Sequence, residues 1–395
     1  MANKEFDWLV VGAGLSGATF ANTMAEHGKK VFVIDRRRYL GGNCFIMHDE
    51  HIPVHYYGAH IFHTSNEDIM NFVKNNSDSC NIQNFINAPK AISGSKLYDL
   101  PFNMNTFYKI FGTYDVEEVR GLIDDEKILA HIKNPKNLEE KAISLVGKTI
   151  YNTLIKGYTE KQWGRKCTEL SPDIITRLPL RFTFNNNYFN DKYQFTMDYT
   201  QFVKNLLKDC DVMLCTSFEN IVKSGNLNKF KNIYYTGSID ELCDYKYGQL
   251  PYRTVREEIV HDDGWKTQGN AVINYIDKDI PYTRVIEHKL LSNMVDNLLP
   301  INIFSYEYPE EFDKDKNNGI GRAYPIATPY SAKTYEKCLS YLHDKHPNIV
   351  LGGRLGTYNY WNMDKAIEMA MKQAYKVLKT EDDEKDIKIF YNKTV

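Results

Sequence analysis

No stretch of this sequence approaches the ~20 consecutive apolar residues that cross a bilayer as a helix, and its first apolar run is too short for a secretory leader. Charge of one sign is missing too: 49 basic and 51 acidic residues leave a formal net charge of −2 over 395 residues. That balance excludes a general attraction to nucleic acid or to anionic membrane. The seven cysteines are scattered, odd in number and without a C-x-x-C pair. A disulfide framework or a zinc site is therefore not expected, and a reducing, cytoplasmic compartment is. Internal repeats and low-complexity segments are absent. What is there is a chain long enough for two or three domains with sizeable cores. It is rich in aromatics, with 28 tyrosines and 20 phenylalanines. Tyrosine joins an apolar face to a polar tip, although most of these rings must serve ordinary packing.

The first 35 residues carry the strongest pattern. An apolar run, Trp8-Leu9-Val10-Val11, leads into Gly12-Ala13-Gly14-Leu15-Ser16-Gly17. A helical stretch, Ala18 to Glu26, follows, and a second strand, Val31 to Ile34, ends at Asp35. In this strand–glycine–helix–strand order, Gly12 makes a tight turn and Gly14 lets the backbone approach a pyrophosphate. Gly17 lets helix and strand pack closely. The free N–H groups at the helix start, near Ser16, suit phosphate oxygens, and Asp35 suits a ribose hydroxyl. Next come Arg36-Arg37-Arg38-Tyr39-Leu40-Gly41-Gly42-Asn43. The Gly41-Gly42 pair shifts the expectation from NAD to FAD, by analogy with amine-oxidase-type flavoproteins that place a second glycine turn there. An arginine on an NADP 2′-phosphate is the less favoured reading while Asp35 keeps its place.

Beyond this unit the chain reads as helices from Asn105 to Phe111, Val116 to Ile123, Asn137 to Val146 and Lys148 to Lys156, with Asp115 and Asn137 as N-caps. Arg181 to Phe184 and Tyr188-Phe189 read as strands around an Asn185-Asn186-Asn187 turn. Strands return at Val212 to Leu214 and Ile233 to Gly237, and alternation over 250–308 suggests antiparallel pairing. The chain closes on a strand, Ile349 to Leu351, glycines, and a helix from about Met363 to Leu378. The expected fold is α/β, with a discontinuous Rossmann-like FAD-binding domain (1–81, 197–248 and 327–395). Into it are inserted a helical domain (82–150) and an antiparallel sheet domain for substrate (151–196 and 249–326).

Several segments carry a further likeness: Tyr57-Gly58-Ala59-His60-Ile61-Phe62-His63-Thr64, Leu100 to Thr106, Lys156-Gly157-Tyr158-Thr159-Glu160-Lys161-Gln162-Trp163-Gly164, Arg177 to Phe182, Asp279 to Arg284, and Gly353 to Tyr358. Over nearly its whole length the chain resembles the UDP-galactopyranose mutase family, and the Gly-Tyr-Thr-x-Lys-Gln-Trp-Gly string is the most specific part. The resemblance implies interconversion of UDP-galactopyranose and UDP-galactofuranose. The net reaction is not redox, yet it needs reduced FAD, whose N5 attacks the anomeric carbon. It also implies a cytosolic homodimer.

By the same resemblance, Arg177 and Arg284 act on the diphosphate, with Tyr188, Tyr324 and Tyr360 donating to it; an arginine fork matches phosphate oxygens. Tyr158 and Thr159 sit at the uridine end, and Trp163 and the segment around Arg177 form a mobile loop over the nucleotide. Asn87 and Asn274 contact substrate. His60, Ile61 and His63 pass near the flavin, with His63 tuning it, and Arg354, Asn362 and Met363 meet its reactive edge. Gly12, Gly14, Ser16, Gly17, Asp35, Arg36, Gly42 and Asn43 hold the rest of the dinucleotide. This chain departs from the family at Ala323, Asn362 and Ile155, where tyrosine, aspartate and phenylalanine are common. Three alternatives stay open: a UDP-N-acetylgalactosamine mutase, an amine-oxidase-type oxidoreductase, and a non-catalytic binding protein on the same fold like the GDP-dissociation inhibitors.

Overall fold

The computed structural model describes residues 5–78, 81–175, 180–264, 266–292, 300–315 and 321–382. Five parallel strands form one sheet in the order Asp211–Met213, Val31–Ile34, Phe6–Val11, Phe230–Tyr235, Ile349–Leu351. A parallel sheet is covered on both faces, so its strands read as apolar runs rather than alternations. On one face Trp8, Val10 and Val33 pack against Phe20 and Met24 of the Leu15–Glu26 helix and Ile367, Ala370 and Ala374 of the Met363–Asp382 helix. On the other, Leu9, Val11, Ile34 and Ile233 meet Cys338 and Leu342 of the Pro329–Lys345 helix. The sheet is thus assembled from three separated stretches of chain. Its central strand ends at the glycine turn.

A second sheet has seven strands in the order Tyr324–Pro325, Tyr252–Asp262, Asn302–Glu311, Arg284–Glu287, Val272–Tyr275, Lys90–Ser93, Lys96–Asp99. Two expectations need correction here. The sheet is mixed, because Val272–Tyr275 and Lys90–Ser93 run parallel. The 82–150 stretch is also not wholly helical: its Lys90–Ser93/Lys96–Asp99 hairpin forms the edge of this sheet.

The helical layer holds Met104–Phe111, Val116–Ala130, Leu138–Val146 and a continuous run from Lys148 to Trp163 that contains a π turn at Tyr151–Ile155. Phe107, Val119, Ile123, Leu138 and Ala142 are fully buried between these helices. Asp115 and Asn137 cap their helices as expected. The expected hairpin around Asn185-Asn186-Asn187 does not form; Arg181 makes only an isolated bridge to Asn103. Asn103 donates from Nδ2 to the Asn185 carbonyl (3.1 Å) and to Asn186 Oδ1 (2.7 Å). The Arg181 guanidinium donates to the Asn187 and Tyr188 carbonyls. Such side-chain bonds compete with a strand ladder, and here they win. Among the described residues no helix is long and apolar enough to cross a membrane.

Asn103 is fully buried and also closes a capping box with Thr106 on the Met104–Phe111 helix. Losing a cap and two buried hydrogen bonds should make Asn103→Ala less stable by about 2–3 kcal/mol. Denaturant unfolding measures this, and an unchanged midpoint would show that other groups hold the helix start.

Candidate active site

A cleft opens where the central strands of the parallel sheet end, which is where doubly wound folds bind ligands. Gly12, Gly14, Ser16, Gly17, Asp35, Arg36, Gly42, Asn43, His60, Arg354, Asn362 and Met363 all line it. Ile61 does not; it is buried against Ile286 and Leu291. Two glycines set the backbone spacing. A Cβ on Gly17 would lie 1.9 Å from the Gly12 carbonyl oxygen, so any side chain there would separate helix from strand. Gly42, at φ +58°, would put a Cβ 2.9 Å from Gly14 Cα. The two glycine turns therefore touch, and bare backbone N–H groups face the space a pyrophosphate would fill.

Asp35 is buried and accepts from the Ala13 and Arg37 N–H groups, both at 2.8 Å, which locks the turn. Arg36 donates to Glu241 at 2.7 Å. Burial opposes its charge, but the Glu241 carboxylate outweighs that and raises its pKa. Arg322, also buried, reaches the other Glu241 oxygen at 3.1 Å. Arg37 donates to Asn43 Oδ1 at 2.8 Å. Arg322 and Glu241 had no local signal in the sequence; the fold alone brings them to this cleft.

Next to the cleft lies a polar row built by strand register. Glu257 stands opposite Glu307, Glu307 opposite Arg284, and Arg284 opposite Asn274, across four neighbouring strands. Arg284 is paired two-fold with Glu307, whose side chain is only 2% exposed. Burial works against the Arg284 charge, yet Glu307, with Tyr158 and Tyr324 nearby, holds its pKa well above the ordinary arginine value. Asn274 donates to the Lys90 carbonyl at 3.1 Å. Tyrosines wall this space. Tyr324 and Tyr360 have ring centroids 5.5 Å apart, and the Arg354 guanidinium lies 4.7 Å from the Tyr360 centroid. Arg354, Tyr360 and Tyr324 therefore join the cleft to Arg284. Tyr188 takes its place through its N–H to the Asn87 carbonyl (2.6 Å). Burial pushes the Tyr158 phenol up to about 12, with Arg284 pulling it down, and raises Tyr188 and Tyr324 as well. At neutral pH these hydroxyls remain donors.

Other expected residues fall elsewhere. Trp163 is not on a loop: it ends the Lys156–Trp163 helix, and its ring packs against the helical core. That helix is anchored. Lys161 Nζ donates to the Tyr275, Ile280 and Tyr282 carbonyls at 2.7–2.9 Å, and Arg253 Nε to the Gln162 carbonyl at 2.9 Å. Thr159 is buried within it. His63 does not line the cleft; its Nδ1 meets Asp191 at 2.8 Å and its ring stacks on Phe189 at 3.8 Å. Arg177 lies outside the described residues.

Three buried imidazoles adjoin the flank of the cleft. The His60 N–H donates to His55 Nδ1 (3.1 Å), the His55 N–H donates to His288 Nδ1 (3.3 Å), and His288 Nε2 meets Ser305 Oγ (2.6 Å). Two of the rings must therefore keep Nδ1 bare. Burial lowers the His60 and His288 pKa values to about 3 and lowers His55 as well. Among the described residues His60 Nδ1, buried at the cleft wall, has no partner.

Residues 153–360 match the family model described as UDP-galactopyranose mutase, and residues 10–75 match that of an NAD(P)-binding Rossmann-like domain. The chain is 35% identical to a probable UDP-galactopyranose mutase of Klebsiella pneumoniae, over 99% of both chains. It is 34% identical to the dTDP-fucopyranose mutase of Escherichia coli, over 94% of this chain and 98% of that one. A crystal structure of a reduced UDP-galactopyranose mutase superposes with a TM-score of 0.71 at 12% identity, covering 95% of this chain and 94% of that one.

The imidazoles give the protein an acid limb. In the unfolded chain they take up protons near pH 6.5, whereas His60 and His288 resist until about pH 3. Their contribution is present above pH 6.5 and is lost as pH falls toward 3. His288→Gln should therefore show a shallower fall in melting temperature between pH 6.5 and 4 than the parent; parallel curves would contradict this.

Proposed function

The chain belongs to the UDP-galactopyranose mutase family, and on that premise we propose that it binds FAD in the glycine-lined cleft and, with the flavin reduced, interconverts UDP-galactopyranose and UDP-galactofuranose. The observation that carries this reading is the continuity of the cleft with Arg284 through Arg354, Tyr360 and Tyr324. The fit to FAD rests on the touching glycine turns and on the unpartnered His60 Nδ1 at the cleft wall. When bound, reduced flavin would supply an electron-rich nucleophile for the anomeric carbon.

The protein's own groups do the remainder. Arg284 spends two of its five donors on Glu307, so its remaining N–H groups are available to the diphosphate as negative charge builds on departing UDP. The phenols of Tyr188, Tyr324 and Tyr360 donate to the same oxygens. Asn274 and Asn87 orient the sugar end, and Tyr158 stacks toward the base. Arg354 lines the cleft and would set a cation beside a bound flavin, which would favour its anionic reduced form. The uncharged imidazole of His60 leaves that field unopposed.

A second reading concerns the substrate alone. The similar identity to a dTDP-fucopyranose mutase supports a deoxysugar on a thymidine carrier, and the loss of an aromatic wall at Ala323 leaves the choice to assay. An N-acetylated galactose is a third candidate. We also propose a cytosolic homodimer on the family likeness; Ile128 and Leu129, 66% and 75% exposed, are apolar surface for such a contact.

Anaerobic incubation with UDP-galactofuranose, with and without dithionite, should give UDP-galactopyranose only when the flavin is reduced. Turnover of dTDP-fucopyranose or the N-acetylated sugar instead would reassign the substrate; turnover by oxidised protein would overturn the role of reduced flavin. Arg284→Lys keeps a charge but loses the fork and should cost about 10²-fold or more in kcat/KM while FAD stays bound. Full activity in that variant would remove Arg284 from the diphosphate.

A further inference from the structure

Glu257 is the one member of the polar row to which no role has been given. It stands directly across the strand pair from Glu307. Like charges in that relation destabilise a sheet. Both of its carboxyl oxygens are buried, and among the described residues neither has a hydrogen-bond partner. Gly58 fixes how close the three head groups lie. At φ +105°, a Cβ there would be 3.0 Å from Glu307 Oε1, 3.5 Å from Arg284 Nη2 and 3.9 Å from Glu257 Oε1. The two carboxyl groups and the guanidinium thus gather around one point of backbone that has no side chain.

Charge counting gives this arrangement a direction. Arg284 and Glu307 cancel. If Glu257 were also ionised, the row would carry a net negative charge facing the place where a diphosphate has to arrive. Two carboxylates on one cation in a buried setting do not both ionise readily. Burial first, and then the Glu307 carboxylate, push the Glu257 carboxyl up to about 10, with Arg284 acting in the opposite sense. The imidazole that faces Arg284 from the neighbouring segment, His60, is uncharged at neutral pH.

We propose that Glu257 is a positioning residue: it keeps its carboxyl protonated and directs that proton toward Glu307, so that Glu307 stays oriented on Arg284 and the row stays neutral toward an incoming diphosphate. No proton leaves the pair during this role; Glu257 holds it and Glu307 accepts from it. The inference rests on the reading of Arg284 as the diphosphate-binding arginine.

Two measurements on the FAD-loaded protein test it. Infrared difference spectra at neutral pH, parent minus Glu257→Gln, should contain the carbonyl stretch of a protonated carboxylic acid; a difference showing only a carboxylate pair overturns the proposal. UDP affinity, read by titration, should fall about fivefold in Glu257→Leu, which has no donor, and be restored by the donating amide of Glu257→Gln. Leu and Gln variants that bind UDP alike would also overturn it. Arg284→Lys, titrated alongside, separates the two readings. Unchanged UDP affinity there defeats the diphosphate assignment, while the infrared result still reports whether Glu257 carries a proton.

Discussion

The inner face of the second sheet is organised around one ion pair, Arg284 with Glu307. A carboxylate as buried as Glu307 is costly to hold without a partner, and Arg284 meets it with two parallel bonds from the adjacent strand. The pair determines its surroundings. Gly58, at φ +105°, holds a backbone conformation that strains any side chain, and a Cβ there would lie 3.0 Å from Glu307 Oε1. Asn274 falls into line on the next strand, and the tyrosines close the space above. A cation anchored this way keeps its position when a flexible anion binds, which is worth more to catalysis than a cation that must be collected each time.

The second constraint is backbone contact at the end of the parallel sheet. Gly14 and Gly42 come from turns far apart in sequence yet meet at van der Waals distance. Asp35 holds the first turn through the Ala13 N–H. Arg354 links this cleft to the polar row: it donates to the Trp361 carbonyl at 2.6 Å and lies over Tyr360. The glycine-lined cleft and the polar row are therefore adjoining halves of one space. The Gly-Tyr-Thr-x-Lys-Gln-Trp-Gly string has a structural part in this. Through Lys161 it clamps the helix bearing Tyr158 to the turn that leads into the Arg284 strand.

The nucleotide end of the fold was legible because its signals are local. Apolar runs, a glycine spacing and an acid at the next strand end all fall within 35 residues, and the residues read from them line one cleft with His60, Arg354, Asn362 and Met363, whereas Ile61 and His63 do not. Helix caps at Asp115 and Asn137 were legible for the same reason. The polar row was only half legible. Arg284 and Asn274 came from resemblance, whereas Glu257 and Glu307 gave no signal, since cross-strand partners are set by register between distant segments. The Asn185-Asn186-Asn187 run looked like a hairpin turn, but it is held instead by the side-chain amide of Asn103, the residue that caps the Met104–Phe111 helix. The resemblance set Trp163 in a mobile loop, and the anchoring of its helix by Lys161 and Arg253 could not be read from composition. His63 had the right neighbours in sequence but was taken by Asp191 and Phe189 in space.

The most direct test of the account is a crystal structure of the FAD-loaded protein with UDP. It should place the diphosphate against the outward N–H groups of Arg284, within reach of the Tyr324 and Tyr360 hydroxyls, with the Arg284–Glu307 pair intact. UDP bound elsewhere, with Arg284 still turned only toward Glu307, would contradict the reading of this row as the anion site.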